Sequence, residues 1–264
     1  MAPYFPEYKP FAENAGFTFN VIPPDVPDFQ IQLDAVEAAL TPNTAAIILN
    51  SPNNPAGTVY TRKTLEELAA LLTKKAAEFG HPIYIVADEP YRELVYGGVE
   101  VPFIPNIYPD TVVCYSFSKS LSLPGERIGY VYVPKQAADH KALYAAVAGA
   151  ARAAGHVCAP SLLQKVIARC VSLRPDLDSY DRNRKALYEG LIAAGYEVAK
   201  PDGAFYLFVK APGGDANAFS EKAKAKDLLV VPGDGFGCPG YFRVCYCVSY
   251  EMIQRSLPVF AELV

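Results

Sequence analysis

The sequence predicts an α/β protein, with a mostly parallel sheet sandwiched by helices, followed by a smaller C-terminal α+β unit. Three observations carry that expectation. Apolar runs of strand length at 46–50, 83–87, 111–117 and 128–133 alternate with segments of helical period. The runs are apolar throughout rather than every second residue, as strands covered on both faces are. Near residue 176 the alternation gives way to one long helical segment and then shorter, mixed pieces.

Taken in order, the run 46–50 stops at the turn cluster Ser51-Pro52-Asn53-Asn54-Pro55-Ala56-Gly57. Residues 61–79 carry apolar side chains at 65, 68, 69, 72 and 76, one face of a helix. Thr61 is its N-cap, and Gly80 followed by Pro82 closes it. Strands are expected at 83–87, 111–117 and 128–133, and helices at 136–148 and 161–173. Residues 178–194 read as a long helix stopped by Gly195. Beyond it lie strand-like pieces at 204–209, 228–231 and 241–248, with helices at 216–226 and 251–263. The expected division is a large domain over 1–176 and a small one over 177–264.

Composition narrows the function. A chain of 264 residues with 51% hydrophobic content can bury a large core. A net charge of −4 lacks the basic stripe of a nucleic-acid binder. The start, Met-Ala-Pro-Tyr-Phe-Pro, has no basic residues followed by an apolar run, so no secretory signal is expected. The most apolar stretch, 142–151, is too short for a bilayer and runs into Arg152; a packed helix is expected there, and no membrane partner. Six cysteines show no CxxC pair, and free thiols suit a cytoplasmic location. Cys245 and Cys247, two apart in a strand-like run, face one side and do not bridge easily. Histidines 81, 140 and 156 lack ligand spacing, so no metal is expected. The eighteen tyrosines read as packing.

Ligands of parallel α/β sheets collect beyond the carboxyl ends of the strands. Three such ends carry unusual polar groups: 50–57, Asp88-Glu89-Pro90-Tyr91, and Ser116-Phe117-Ser118-Lys119 followed by Arg127. Lysine at the end of a buried strand is costly unless its amine is paired or chemically used, and Schiff-base formation is one use. An aspartate there can pair with a protonated ring nitrogen. Two serines and an arginine can hold a phosphate, and Tyr91 and Asn54 can donate to a phenolate oxygen. Singly, Asp88 reads more readily as a helix cap, Lys119 as a solvated charge and Arg127 as a surface ion pair. Together, in this order, they read as a site. Gly233-Asp234-Gly235-Phe236-Gly237 superficially resembles a phosphate loop, but Cys238-Pro239-Gly240 prevents the helix a dinucleotide fingerprint needs. It is expected to be a turn near the substrate pocket.

Asn53-Asn54-Pro55-Ala56-Gly57, Asp88-Glu89-Pro90-Tyr91, Ser116-Phe117-Ser118-Lys119 with Arg127, Gly203-Ala204-Phe205-Tyr206 and Arg243 together resemble the fold-type I, class I/II aminotransferases. The nearest flavour is the bacterial aspartate-aminotransferase-like group, and the resemblance runs over essentially the whole chain. It implies the pyridoxal-phosphate-transferase fold and pyridoxal 5'-phosphate as cofactor. Lys119 would carry the cofactor as a Schiff base and then act as general base and acid. Asp88 would pair with the pyridinium nitrogen, Tyr91 and Asn54 with the phenolate oxygen, and Ser116, Ser118 and Arg127 with the phosphate. Arg243, assisted by Asn54, would clamp the substrate α-carboxylate. Phe5 would stack on the ring, with Tyr4 as its rival.

The resemblance also implies a cytoplasmic homodimer that moves an amino group between an L-amino acid and a 2-oxo acid in a ping-pong cycle. Aspartate with 2-oxoglutarate is the first guess by family flavour. Dicarboxylate specificity needs a second cation; Arg152 is a candidate, as readily a surface residue. Two alternatives stay open: β-elimination, as in carbon–sulfur lyases, and a catalytically impaired fragment. The chain departs from the family pattern in lacking the N-terminal region before Pro3, which holds a strand and a phosphate-binding loop. No helix-turn-helix segment suggests a DNA-binding arm.

Overall fold

In a computed structural model that describes residues 1–264, two short helices, α1 (Tyr8–Asn14) and α2 (Leu33–Ala39), precede the first strand. Then follow β1 (Ala46–Asn50), α3 (Arg62–Phe79), β2 (Tyr84–Asp88), β3 (Thr111–Ser116), α4 (Phe117–Ser120) and β4 (Gly129–Tyr132). The four strands form one sheet in the order β1-β2-β3-β4. β1, β2 and β3 run parallel, and β4 is antiparallel to β3. The register sets Asn50 against Asp88, and Asp88 against Cys114. Parallel strands end at one edge, so the polar clusters after Asn50, Asp88 and Ser116 meet there.

α3 begins and ends where local chemistry dictates. The Thr61 hydroxyl accepts from the Thr64 N–H at 3.1 Å, and Gly80 closes the helix at φ 77°. Its face of Leu65, Leu68, Ala69 and Leu72 packs with Leu49 and Ile85 of the sheet and with Ile83 just before β2. Each fully buried leucine contributes roughly 1.5–3 kcal/mol, so this face holds α3 on the sheet.

Two expectations of burial fail. The segment 128–133 reads as a strand covered on both faces, yet all four residues of β4 are exposed and it pairs only with β3. The stretch 142–151 lies in α5 (His140–Ala153), which buries no residue. Helix α6 (Ser161–Cys170) buries only Ile167. Hydrophobic patterning shows that a face is apolar, whereas coverage depends on what packs against it.

The second unit contains α7 (Leu177–Ala193), β5 (Tyr206–Lys210), α8 (Ala216–Lys224), β6 (Val231–Pro232), β7 (Tyr241–Cys245) and α9 (Tyr250–Ala261). The strands form an antiparallel sheet in the order β5-β7-β6. Phe242 and Val244 on one face of β7 join Leu187, Leu191, Phe219 and Phe260 in a core. Phe219 and Phe242 stack at 4.5 Å. Alternate residues Tyr241, Arg243 and Cys245 occupy the opposite face of the strand. The expected strand at 228–231 shrinks to β6. The one at 241–248 ends at Cys245, although the Tyr246 N–H still donates to the Phe205 carbonyl at 3.0 Å.

The two sheets are joined through backbone. The Gly57 carbonyl accepts from the N–H groups of Asp202 at 3.0 Å and Gly203 at 2.8 Å. Gly57 has φ 72°, and a Cβ there would lie 3.0 Å from the Gly203 carbonyl oxygen, so both conformation and space call for glycine. No helix is long and apolar enough to cross a membrane.

Candidate active site

The turn after β1 is built by its own asparagines. Asn50 donates its amide to the Asp88 carbonyl at 2.8 Å and accepts from the Asn54 N–H at 2.7 Å. Asn53 accepts from the Ala56 N–H at 2.9 Å. These bonds point the Asn54 side chain towards the second sheet, where its Oδ1 accepts from Arg243 Nη1 at 2.9 Å. The Arg243 guanidinium lies 4.5 Å from the Tyr206 ring centroid and 4.9 Å from that of Phe236. A planar cation so held keeps its remaining N–H groups aimed in fixed directions. Phe236 belongs to the 3-10 turn Gly233–Phe236, so the glycine-rich segment does lie beside Arg243.

Tyr206 links Arg243 to the first sheet, because its hydroxyl and that of Tyr91 are 3.3 Å apart. Burial drives the Tyr91 phenol up, Tyr206 adds to the rise, and Arg243 opposes it. Tyr91 is therefore a proton donor at neutral pH. The Lys119 amine lies 5.5 Å from the Phe205 ring centroid and 6.0 Å from that of Tyr91. None of the thirteen ion pairs involves Lys119. Its amine lies over aromatic rings without a carboxylate to hold it.

At the end of β2, Asp88 accepts a hydrogen bond from the Tyr8 hydroxyl. Burial raises the Asp88 carboxyl above its ordinary value, and the Tyr8 bond partly offsets this. A nearby cation would favour the charged form further. Ser116 caps α4: its Oγ accepts from the Ser118 N–H at 3.1 Å and donates to Ser118 Oγ at 2.6 Å.

Asn54, Tyr91, Lys119 and Arg243 are thus gathered around Tyr206 and Phe205, with Asp88 beneath Tyr8. Arg127 and Phe5 are less engaged. Arg127 is exposed, takes a left-handed backbone and donates to the Pro124 carbonyl at 2.7 Å rather than to either serine. Phe5 is exposed and meets the Tyr8 ring edge-on at 5.6 Å. Its rival Tyr4 is occupied elsewhere, edge-on to Phe19 at 5.3 Å. Arg152 is exposed on α5. Two residues at the site escaped the sequence reading. Tyr206 stands inside a quoted motif without a role, and Tyr8 sits in a short helix that no periodic signal announces. No group of three or more histidine, cysteine, aspartate or glutamate side chains could hold a metal ion.

Residues 1–259 match the family model described as aminotransferase class I and II. An amino transferase from Eubacterium rectale superposes with a TM-score of 0.97 at 56% identity, over 99% of this chain and 66% of that one. The aspartate/prephenate aminotransferase of Thermus thermophilus is 31% identical, over 100% of this chain and 68% of its own length. Aromatic-amino-acid aminotransferase 2 of Thermococcus litoralis is 29% identical, over 97% and 67%. The chain spans about two thirds of the length of the curated relatives it matches. With the match running nearly end to end and the polar strand ends gathered in one cleft, the chain belongs to the class I and II aminotransferase family.

Proposed function

We propose that the chain transfers an amino group between an L-amino acid and a 2-oxo acid, using pyridoxal 5'-phosphate and Lys119. The observation that carries this is the Lys119 amine: it has no ion-pair partner and lies in the same cleft as the Arg243–Asn54 clasp. The residues present fit the cofactor. Asp88 is a mostly buried carboxylate whose side-chain partner is a hydroxyl, which leaves it able to accept from a ring N–H. Ser116 and Ser118 offer adjacent hydroxyls to a phosphate, with Arg127 as an exposed cation on the turn that follows.

Pyridoxal phosphate, when bound, supplies an aldehyde for the lysine and an electron-withdrawing cationic ring. Lys119 would hold the cofactor and would serve as general base and then acid for the proton of the substrate Cα. Tyr91 and Asn54 would donate to the cofactor's phenolate oxygen, Phe5 would pack against its ring, and Tyr8 would orient Asp88. Arg243 binds the α-carboxylate through paired N–H groups, with Asn54 fixing its plane. Aspartate with 2-oxoglutarate is the substrate pair we propose first, in keeping with the relatives named for aspartate. The working form we propose is a cytoplasmic homodimer, with a large domain over residues 1–176 and a small one over 177–264.

The test is to incubate the purified chain with pyridoxal phosphate, reduce with borohydride and map the labelled peptide. The label is expected on Lys119 and absent from Lys119→Ala, and L-aspartate with 2-oxoglutarate should yield glutamate. A label elsewhere, or none, overturns the site. Ammonia and pyruvate released from cystathionine without an acceptor would replace amino transfer with β-elimination.

A further inference from the structure

Arg243, Cys245 and Cys247 succeed one another at every second position, so their side chains project from the same face of β7 and its extension. The pairing continues past the strand, since the Tyr246 N–H donates to the Phe205 carbonyl at 3.0 Å. Cys245 is opposite Tyr206 in the ladder, and Phe205 lies 5.5 Å from the Lys119 amine. The two thiols therefore stand in the cleft between the arginine clamp and the lysine. Cys245 is half-buried and Cys247 exposed, and both are free.

Ionisation sets this pair apart from the thiols of Cys114 and Cys238. The Cys247 thiol hydrogen bond, and then the Arg243 cation, overcome burial and bring Cys245 down to about 6. The thiolate so formed pushes Cys247 up, while Lys119 pulls it back. Burial, with nearby carboxylates adding to it, raises Cys114 and Cys238 to about 11 each. One thiol of the cleft pair is ready to attack a soft electrophile, with the second beside it.

Spacing decides what the pair can take. Extended residues two apart have Cβ atoms roughly 6.6 Å apart, beyond the ~4.5 Å limit of a disulfide. A bridging atom with bonds near the ~2.3 Å of zinc thiolates spans that gap. A structural zinc ion needs four ligands, and no third metal-binding side chain joins the pair. A trivalent aryl arsenical needs only two thiolates.

We propose that Cys245 and Cys247 form a two-thiol binding site for trivalent arsenicals within the substrate cleft, and that occupancy blocks amino transfer. With phenylarsine oxide the step is a condensation. Two arsenic–sulfur bonds form, the arsenic–oxygen bond breaks, and both thiol protons leave with that oxygen as water. Arsenic stays trivalent throughout. The blocking effect rests on the function proposed above; the binding does not.

The experiment titrates the cofactor-loaded chain with phenylarsine oxide and reads intact mass alongside amino transfer. One aryl-arsenic group should be retained per chain against excess monothiol, released by a 1,2-dithiol, and accompanied by loss of activity. Cys247→Ser, at an exposed position, should weaken retention about 100-fold or more by removing the second of two linked contacts. Cys245→Ser should behave alike, and the exposed control Cys158→Ser should bind as the parent does. Retention unchanged in Cys247→Ser, or an adduct that monothiol removes from the parent, overturns the site. Binding without loss of transfer overturns only the blocking. A chain with no amino transfer at all still gives the mass result, so the two proposals fail separately.

Discussion

Replacing Arg243 with lysine, and separately with leucine, isolates what its fixed plane contributes. The guanidinium gives one N–H to Asn54 at 2.9 Å and lies between Tyr206 at 4.5 Å and Phe236 at 4.9 Å. Lysine keeps the charge but has a compact ammonium in place of the planar fork, so one of two parallel bonds to a carboxylate is lost. A hydrogen bond to a charged group contributes about 1.5–3 kcal/mol, which converts to roughly 10–150-fold in kcat/KM. Leucine removes both bonds and the charge, at about 3–5 kcal/mol or roughly 10²–10⁴-fold. The assay compares L-aspartate with its α-carboxamide in the amino-donor half-reaction. The parent should strongly prefer the carboxylate, Arg243→Lys less so, and Arg243→Leu hardly at all. If Arg243→Leu keeps the parent's preference for the carboxylate, the clamp is elsewhere and the reasoning is refuted.

Burial raises the Asp88 carboxyl above its ordinary value, so the native chain binds that proton more tightly than the unfolded chain. Its contribution to stability therefore improves as pH falls from above the raised value towards the unfolded one. Asp88→Asn should raise the melting temperature of the cofactor-free chain at pH 8 and change it little near pH 4, while weakening pyridoxal phosphate binding. A melting shift independent of pH would contradict this. Gly57→Ala should cost about 1–3 kcal/mol in urea unfolding, because it adds contacts at 3.0–3.2 Å to a left-handed backbone. Gly80→Ala, at φ 77° with nothing within 4 Å, carries only the conformational part and should cost less. Equal costs would mean that the contact with Gly203 does not matter.

What could be read in advance follows the range of each interaction. The bounds of α3 were legible because Thr61 and Gly80 act on their own helix ends. The strand-end clusters were legible because apolar runs stop abruptly at Asn50, Asp88 and Ser116. The Arg243–Asn54 bond spans 189 positions, and no local pattern reports it; the family resemblance put the two residues at one substrate carboxylate but did not give the bond between them. Tyr8 meets Asp88 across 80 positions, and its short helix buries no residue, so neither period nor motif marked it. The exposure of β4 and α5 was missed for a related reason, since an apolar sequence is compatible with either a covered or an open face.

That open strand has a consequence for behaviour in solution. β4 offers a row of backbone donors and acceptors flanked by Tyr130, Val131 and Tyr132, all more than 40% exposed. Its neighbours in the chain add uncovered apolar surface at Val157, Leu162 and Val171. Such an edge is a template onto which another extended segment can add. A net charge of −4 provides only weak repulsion between copies, and salt screens it further. Self-association should therefore grow with protein concentration and ionic strength, through an edge strand whose first residue, Gly129, pairs with Ser116.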